Sequence, residues 1–345
     1  MSIERNIYPF TAIVGQNKMK TALILNIINP SLGGVLIRGE KGTAKSTAVR
    51  SLADLLSKRA QVKDCPFSCN PYDLDHACLR CSELMKNEKK LDTINTKMRV
   101  IELPISATED RVVGTMDIEH AIQKGEKKFE TGILAQANRN ILYVDEVNLL
   151  DDHVVDILLD SAAMGVNTIE REGISYTHPA KFTLIGTMNP EEGDLRPQLL
   201  DRFGLVVDVT GVTDTSKRVE LIRRRIEFEK NPSNFLNDYT FSQEQLAHKI
   251  QEAIALLPEV TFSDELLEMA AKIAVSLGVD GHRADIVMIK TAITIAAYNG
   301  KNSVSEKELE EAASFTLPHR MRKMPFDDSS IDSQFILEKI QEAIR

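Results

Sequence analysis

Gly39-Glu40-Lys41-Gly42-Thr43-Ala44-Lys45-Ser46 follows a short apolar strand, Val35–Arg38, and opens a helical segment read as Ser46–Arg59. Within that segment Val49, Leu52, Ala53 and Leu56 recur at three and four residue spacing. Strand, glycine-bearing turn and helix in that order are the context a phosphate-binding loop requires. Successive backbone amides and the helix N-terminus then face an anion. The reading assigns nucleotide contact to Gly39, Glu40, Lys41, Gly42, Thr43, Ala44, Lys45, Ser46 and Thr47. Lys45 is expected to reach the β and γ phosphates, and Ser46 to hold Mg2+. Ala44 stands where the motif has its second glycine. Alanine disfavours positive φ, so binding is expected with Ala44 in an ordinary helical or bridging conformation. The competing reading is a tight glycine turn with no ligand.

About a hundred residues downstream, Ile141-Leu142-Tyr143-Val144-Asp145-Glu146 sets two carboxylates just past a buried strand. Strand ends beside a phosphate loop are where sheets of this type build sites. Asp145 is expected to hold Mg2+ through its water shell, and Glu146 to orient the attacking water. Asn189 ends a second apolar run, Phe182–Met188. It either senses the γ phosphate and its water, or simply starts a turn as Asn189-Pro190. Arg202, in Leu199-Leu200-Asp201-Arg202-Phe203, is the candidate for an arginine supplied to a neighbour's nucleotide, with Arg196 as rival or helper. Either can instead pair on the surface with Asp194 or Asp201. Arg283 opens an apolar helix, a slightly unfavourable place for a cation; it either reaches back to the nucleotide as the domain closes or is simply solvated near the helix start.

Around these motifs, Val100–Leu103, Ile141–Val144, Phe182–Ile185 and Leu205–Val209 read as strands separated by helices such as His153–Ala163. The pattern predicts an α/β fold with a mostly parallel sheet. Asn231–Tyr239, with Pro232, reads as a linker, and everything beyond it as helical. Capping boxes are expected at Phe241–Leu246 and Val304–Leu309. Apolar stripes are expected along Leu266, Ala270, Ile273 and Leu277, and along Ile286, Ile289, Ile293 and Ala297.

The chain has 345 residues and a formal charge of −9, with a pI near 5.4. That balance gives no nucleic-acid footprint. The opening Met1–Phe10 is mixed, and the run Ala22–Ile28 stops at Asn29-Pro30, so no signal peptide and no membrane span are expected. The chain reads as cytoplasmic. All four cysteines, Cys65, Cys69, Cys78 and Cys81, lie in a polar excursion read as residues 60–98 with a charge run near Lys86–Lys90. In a reducing compartment this clustering favours a metal over disulfides. Zinc and an iron-sulfur cluster both fit the spacing, free or redox-paired thiols remain open, and His76 is a possible substitute ligand.

Together these motifs resemble the I subunit of magnesium chelatase. The resemblance includes Gly39–Thr47, Glu109–Glu119, Tyr143–His153, Asn167–Ser175, Asn189–Gly193 and Leu195–Gly204, with Ile13-Val14-Gly15-Gln16 near the start, and covers essentially the whole chain. It implies an AAA+ ATPase with an αβα sandwich over residues 1–228, a linker at 229–240 and a small all-helical lid at 241–345. It implies a hexameric ring, a D subunit with an integrin-type metal-binding domain, and a large H subunit that inserts Mg2+ into protoporphyrin IX. It puts the Walker lysine on Lys45, the Walker B acids on Asp145 and Glu146, sensor 1 on Asn189, the arginine finger on Arg202 and sensor 2 on Arg283. Hairpin insertions are implied at Ile105–Gln123 and Val166–Pro179, projecting toward partners. Ala44 and the cysteine set depart from the photosynthetic members. The departure leaves cobalt- or nickel-inserting partners open, and also a MoxR-like chaperone that remodels a metalloprotein. A nucleotide-gated assembly module that barely hydrolyses ATP fits less well, because Asp145 and Glu146 are both present.

Overall fold

The computed structural model of the chain describes residues 6–87, 91–117, 128–171, 174–279 and 281–321. Part of the expected charge run (88–90), the far part of the first hairpin (118–123), the turn Glu172-Gly173 and the lid beyond 321 lie outside the described residues. In chain order the elements are α1 (Asn17–Ile28), β1 (Val35–Gly39), α2 (Lys45–Leu55), β2 (Arg59–Val62), α3 (Leu79–Lys86), β3 (Thr93–Thr96) and β4 (Val100–Leu103). Then come α4 (Glu109–Val113), β5 (Gly114–Asp117), β6 (Lys128–Thr131), α5 (Ile133–Ala137), β7 (Ile141–Val144), α6 (Asp152–Met164), β8 (Val166–Arg171), β9 (Ile174–Pro179) and β10 (Thr183–Met188). The last are α7 (Pro197–Leu200), β11 (Leu205–Val209), α8 (Thr215–Lys230), α9 (Pro232–Leu256), α10 (Asp264–Ser276), α11 (Arg283–Tyr298) and α12 (Glu306–Thr316).

The described residues form two compact units, one of residues 6–7 and residues within 44–194, the other of residues 8–43 and residues within 195–321. In the first unit β10, β7 and β4 are parallel neighbours, with Ile185 opposite Tyr143 and Tyr143 opposite Glu102. Every residue of β7 and β10 is buried, as strands covered on both faces require. The cysteine-bearing excursion is closed at its base by antiparallel β2 and β3, Arg59 opposite Thr96. Where the first hairpin was expected, Ile105–Gln123, α4 leads into the antiparallel pair β5–β6, whose second strand lies beyond Gln123 at Lys128–Thr131. In the second region β8 and β9 pair antiparallel, Val166 opposite Pro179 and Arg171 opposite Ile174.

In the second unit β1 and β11 are parallel, Val35 opposite Leu205. Gly39 ends β1 against β11: a Cβ there would lie 2.2 Å from the carbonyl oxygen of Val209. The rest of the unit is helical. Val304–Leu309 forms its capping box, the Glu308 carboxylate accepting from the Ser305 amide at 3.2 Å. Leu266, Ala270, Ile273 and Leu277 are buried as expected.

Four expectations are corrected. Helix α2 stops at Leu55, because Leu56 turns extended (φ −75°, ψ 145°), and Arg59 joins β2. Asn231–Tyr239 is no linker but the start of α9. Asn231 caps it, accepting from the Asn234 amide at 3.2 Å, and Pro232 takes the first helical position, where its missing N–H costs nothing. Phe235 then anchors the helix among Tyr8, Phe228 and Tyr239, with ring centroids 5.4, 5.6 and 4.8 Å away. Ser242 and Gln243 consequently lie inside α9 and bond Thr11 rather than forming a cap. In α11 the expected stripe holds only at Ala297, which is buried; Ile286 is exposed, Ile289 and Ile293 are half-buried, and the buried face runs through Ala284, Val287, Met288, Thr291, Ala292 and Ile295. A helix apolar on most sides does not reveal its inward face by spacing alone.

Candidate nucleotide site

The phosphate loop leaves β1 at Gly39 and enters α2 at Lys45. Gly42 takes φ +84° in open space, and Thr43 Oγ1 donates to the Glu40 carbonyl at 2.9 Å. Ala44 departs from expectation: it caps α2 in the left-handed conformation, φ 61° and ψ 22°. For a residue with a Cβ that conformation costs roughly 1–2 kcal/mol. The turn imposes glycine's geometry even though glycine is absent. Strain of this kind concentrates at functional sites.

Three consecutive residues at the end of β10 knit the first unit's acidic and basic groups together. Thr187 Oγ1 donates to Asp145 Oδ1 at 2.6 Å and accepts from the Glu146 amide at 3.2 Å. The carbonyl of Met188 accepts from Lys45 Nζ at 3.4 Å. Asn189 is buried and follows directly. Lys45, Asp145, Glu146 and Asn189 therefore converge on one strand end. This follows from β7 and β10 running parallel in register, which brings both carboxyl ends to the same edge.

Asp145 Oδ1 also accepts from the Tyr143 hydroxyl at 2.9 Å, whereas Oδ2 accepts from no described residue. Burial, and the negative Asp145 close by, push the Tyr143 phenol well above its ordinary range, so it stays a donor. Both hydroxyls bond one oxygen, which leaves Oδ2 available to a further partner. Such a donor set suits a hard, hydrated cation. Glu146 adopts φ 54°, a second strained non-glycine residue at the same edge. Asn189 Oδ1 caps the turn Pro190–Glu192, accepting from the Glu191 amide at 3.3 Å. The turn reading thus holds, and the amide nitrogen of Asn189 keeps its donors for other use.

No motif gives Tyr143 or Thr187 a role; each is a buried hydroxyl in a strand covered on both faces, where a hydroxyl must find a partner.

In the second unit, Arg202 follows α7. Arg283 begins α11, and its Nη1 lies 3.1 Å from Asp201 Oδ2, an exposed pair. Asp201 is also gripped by Arg320, a buried residue that no motif announced.

The four cysteines are reduced, buried and gathered, their sulfurs all within 4.8 Å of one another. His76 is not among them: its Nδ1 sits 3.0 Å from both oxygens of Asp73 on the surface. No helix of the described residues is long and apolar enough to cross a membrane.

Residues 81–203 match the AAA domain (dynein-related subfamily), and residues 267–340 match the AAA lid domain. The chain is 56% identical over 342 residues to a magnesium-chelatase subunit ChlI homolog of Methanocaldococcus jannaschii, covering 99% of this chain and 93% of that protein. It is 51% identical to the magnesium-chelatase subunit ChlI of Mesostigma viride, covering 96% and 91%. A cryo-EM-based structure of the complex between subunits BchI and BchD of magnesium chelatase holds a chain 42% identical to this one. That chain aligns with a TM-score of 0.56 over 99% of this chain and 100% of its own length. The fold is an AAA+ core with a parallel sheet and a helical lid, its cofactors are ATP and Mg2+, and its activity is ATP hydrolysis. The parallel strands, the loop into α2, the acids beyond β7 and the near full-length identity agree, and the chain belongs to the magnesium-chelatase subunit ChlI family.

Proposed function

We propose that this chain is the ATPase motor of a cytoplasmic magnesium chelatase-like complex. It acts as one copy in a ring, a hexamer by family resemblance, beside a D-type subunit. A large H-type or cobalt-chelatase-type subunit performs the insertion of the metal into the tetrapyrrole. We take the ATPase part as residues 1–228 and the lid as 241–345. The observation that carries the reading is the convergence of Lys45, Asp145, Glu146 and Asn189 on residues 187–189.

Phosphoryl transfer to water needs positioning and charge stabilisation more than covalent help. The loop amides and Lys45 hold the polyphosphate, and Ser46 and Asp145 would hold Mg2+. That ion, when bound with ATP, neutralises charge on the β and γ oxygens. Glu146 orients the attacking water and draws its proton toward its carboxylate. Asn189 steadies that water or the γ phosphate. Arg202 of a neighbouring copy stabilises the transition state, and Arg283 links the nucleotide's state to the lid. The hairpin 166–179 and the hairpin built on β5 and β6 carry the motion to partners.

Affinity purification from the native cell with ATP present tests the assignment. A large tetrapyrrole-binding subunit and a D-type subunit are expected to co-purify, and the metal the large subunit inserts names the product. Recovery of a metalloprotein client with neither subunit would instead make the chain a remodelling chaperone.

A further inference from the structure

The cysteine excursion is not absorbed by the nucleotide chemistry, and its geometry points to a site of its own. We infer that Cys65, Cys69, Cys78 and Cys81 bind a single zinc ion as four thiolates, and that this knuckle braces the roots of both hairpins.

The distances select one ion. A tetrahedral ion with Zn–S bonds of about 2.3 Å holds its sulfurs about 3.8 Å apart. The sulfurs of Cys65 and Cys78 are 3.9 Å apart, those of Cys81 and Cys65 are 3.6 Å apart, and no pair exceeds 4.8 Å. A disulfide needs about 2.0 Å. An iron-sulfur cluster interposes two or more irons and must spread its four thiolates further than one ion does. The backbone already favours sulfur as anion: the Cys78 amide donates to Cys69 Sγ at 3.2 Å. Such outer contacts orient metal ligands. Binding exchanges four thiol protons for one Zn2+, leaving a site of charge −2 and no change of oxidation state.

The centre of the excursion is the four cysteines with Val62, Phe67 and Ala135, and Ala77, Met85, Leu91, Phe129 and Tyr176 pack against it partly buried. Asp64 and Ser68, each directly before a cysteine, sit at positive φ of 57° and 48°. A core whose middle is four thiols gains order from a metal that closes them.

The bracing role follows from Phe67. Its ring lies 5.0 Å from the buried imidazole of His178 on β9, and Phe129 of β6 stacks on Tyr176 of β9 at 4.4 Å. Asn167 of β8 donates both to His178 Nε2 at 3.0 Å and to the Val113 carbonyl, beside β5, at 3.2 Å. The Phe67 and Ser68 carbonyls accept from Asn138 at 2.6 Å and from Arg139 at 3.0 Å, just ahead of β7. The knuckle therefore touches both hairpins and the start of the strand that carries Asp145 and Glu146.

The test uses the full chain, purified anaerobically without chelators. Elemental analysis is expected to give about one zinc per chain and no acid-labile sulfide, and cobalt substitution the intense visible bands of a tetrahedral thiolate site. Iron with sulfide, disulfides, or four thiols that titrate at once in metal-free protein would each overturn the site. To keep the result independent of whether a C69S/C81S variant folds, the bracing role is read on wild type by amide exchange before and after zinc extraction. Residues 59–87 and 166–171 are expected to exchange several-fold faster, with α10 and α11 unchanged. Unaltered exchange in β8 and β9 would remove the bracing role.

Discussion

Arg320 donates from Nε to Oδ1 of Asp201 across 3.0 Å, and its Nη2 donates to the carbonyls of both Asp201 and Phe203 at 2.7 Å each. The residues on both sides of Arg202 are therefore held by one buried guanidinium from beyond α12. Burial lowers the Arg320 pKa, the Asp201 carboxylate restores part of it, and it settles at about 10, so the group stays charged. R320M removes these bonds and leaves buried carbonyls without donors, at roughly 1–3 kcal/mol. Denaturant midpoints should fall accordingly, and ATPase turnover should fall with Arg202 misplaced. A midpoint equal to wild type would contradict the role given to Arg320.

The neighbouring pair behaves differently. Arg283 also meets Asp201, but both side chains are about half exposed, 49% and 42%. Exposed pairs contribute about 0–1 kcal/mol, so the movement that the role proposed for Arg283 requires breaks the pair at little cost. R283A should leave thermal stability nearly unchanged while lowering kcat. A variant that is destabilised yet fully active would mean the arginine serves only as a surface partner of Asp201.

Thr187 and Glu146 can be separated experimentally. T187V keeps shape but deletes the donor to Asp145 and the acceptor for the Glu146 amide. Changes in groups that orient a metal ligand commonly cost about 10–100-fold in metal affinity or activity. The ATPase assay should show a raised Mg2+ requirement. E146Q should instead retain ATP binding and lose turnover. Hydrolysis by E146Q at the wild-type rate would remove Glu146 from the chemistry.

Ala44 offers a gain. Its φ of 61° suits glycine, and A44G relieves a Cβ clash worth roughly 1–2 kcal/mol, partly offset by the greater freedom of glycine when unfolded. A44G should bind ATP as well as wild type or better and unfold later. A44V, with a branched side chain in the same region, should weaken both. The reverse order would show that the loop changes conformation when nucleotide binds.

Periodicity and motif context made the candidate edge at Asp145, Glu146 and Asn189 legible. A buried run such as Ile141–Val144 ending in Asp145-Glu146 has few other meanings once a phosphate loop precedes it. What stayed hidden depended on contacts between distant positions. Asn231-Pro232 signals either a turn or a helix start, and only the aromatic cluster of Tyr8, Phe228, Phe235 and Tyr239 decides for the helix. Arg320 lies in no motif, and its value comes mostly from the Asp201 carboxylate and from carbonyls over a hundred residues earlier. Thiol spacing fitted a cluster and an ion equally; sulfur separations distinguish them.

The capping box at Ser305 gives the lid an acid sensitivity with a defined sign. Burial alone would raise the Glu308 pKa, but hydrogen bonds from Lys301, Ser305 and Asn299 overcome it and hold the carboxyl at about 2. Lys301 Nζ lies 2.7 Å away and Asn299 Nδ2 3.2 Å. The folded value lies below the ordinary 4.5, so the unfolded chain takes up this proton first as pH falls. The stabilisation is complete above about pH 4.5 and is lost progressively toward pH 2. E308Q cannot titrate and lacks the ion pair with Lys301. Urea unfolding of both proteins should show E308Q weaker at pH 7, with the gap narrowing from about pH 4.5 downward. A gap that stays constant through that window would mean the network does not select the ionised carboxylate.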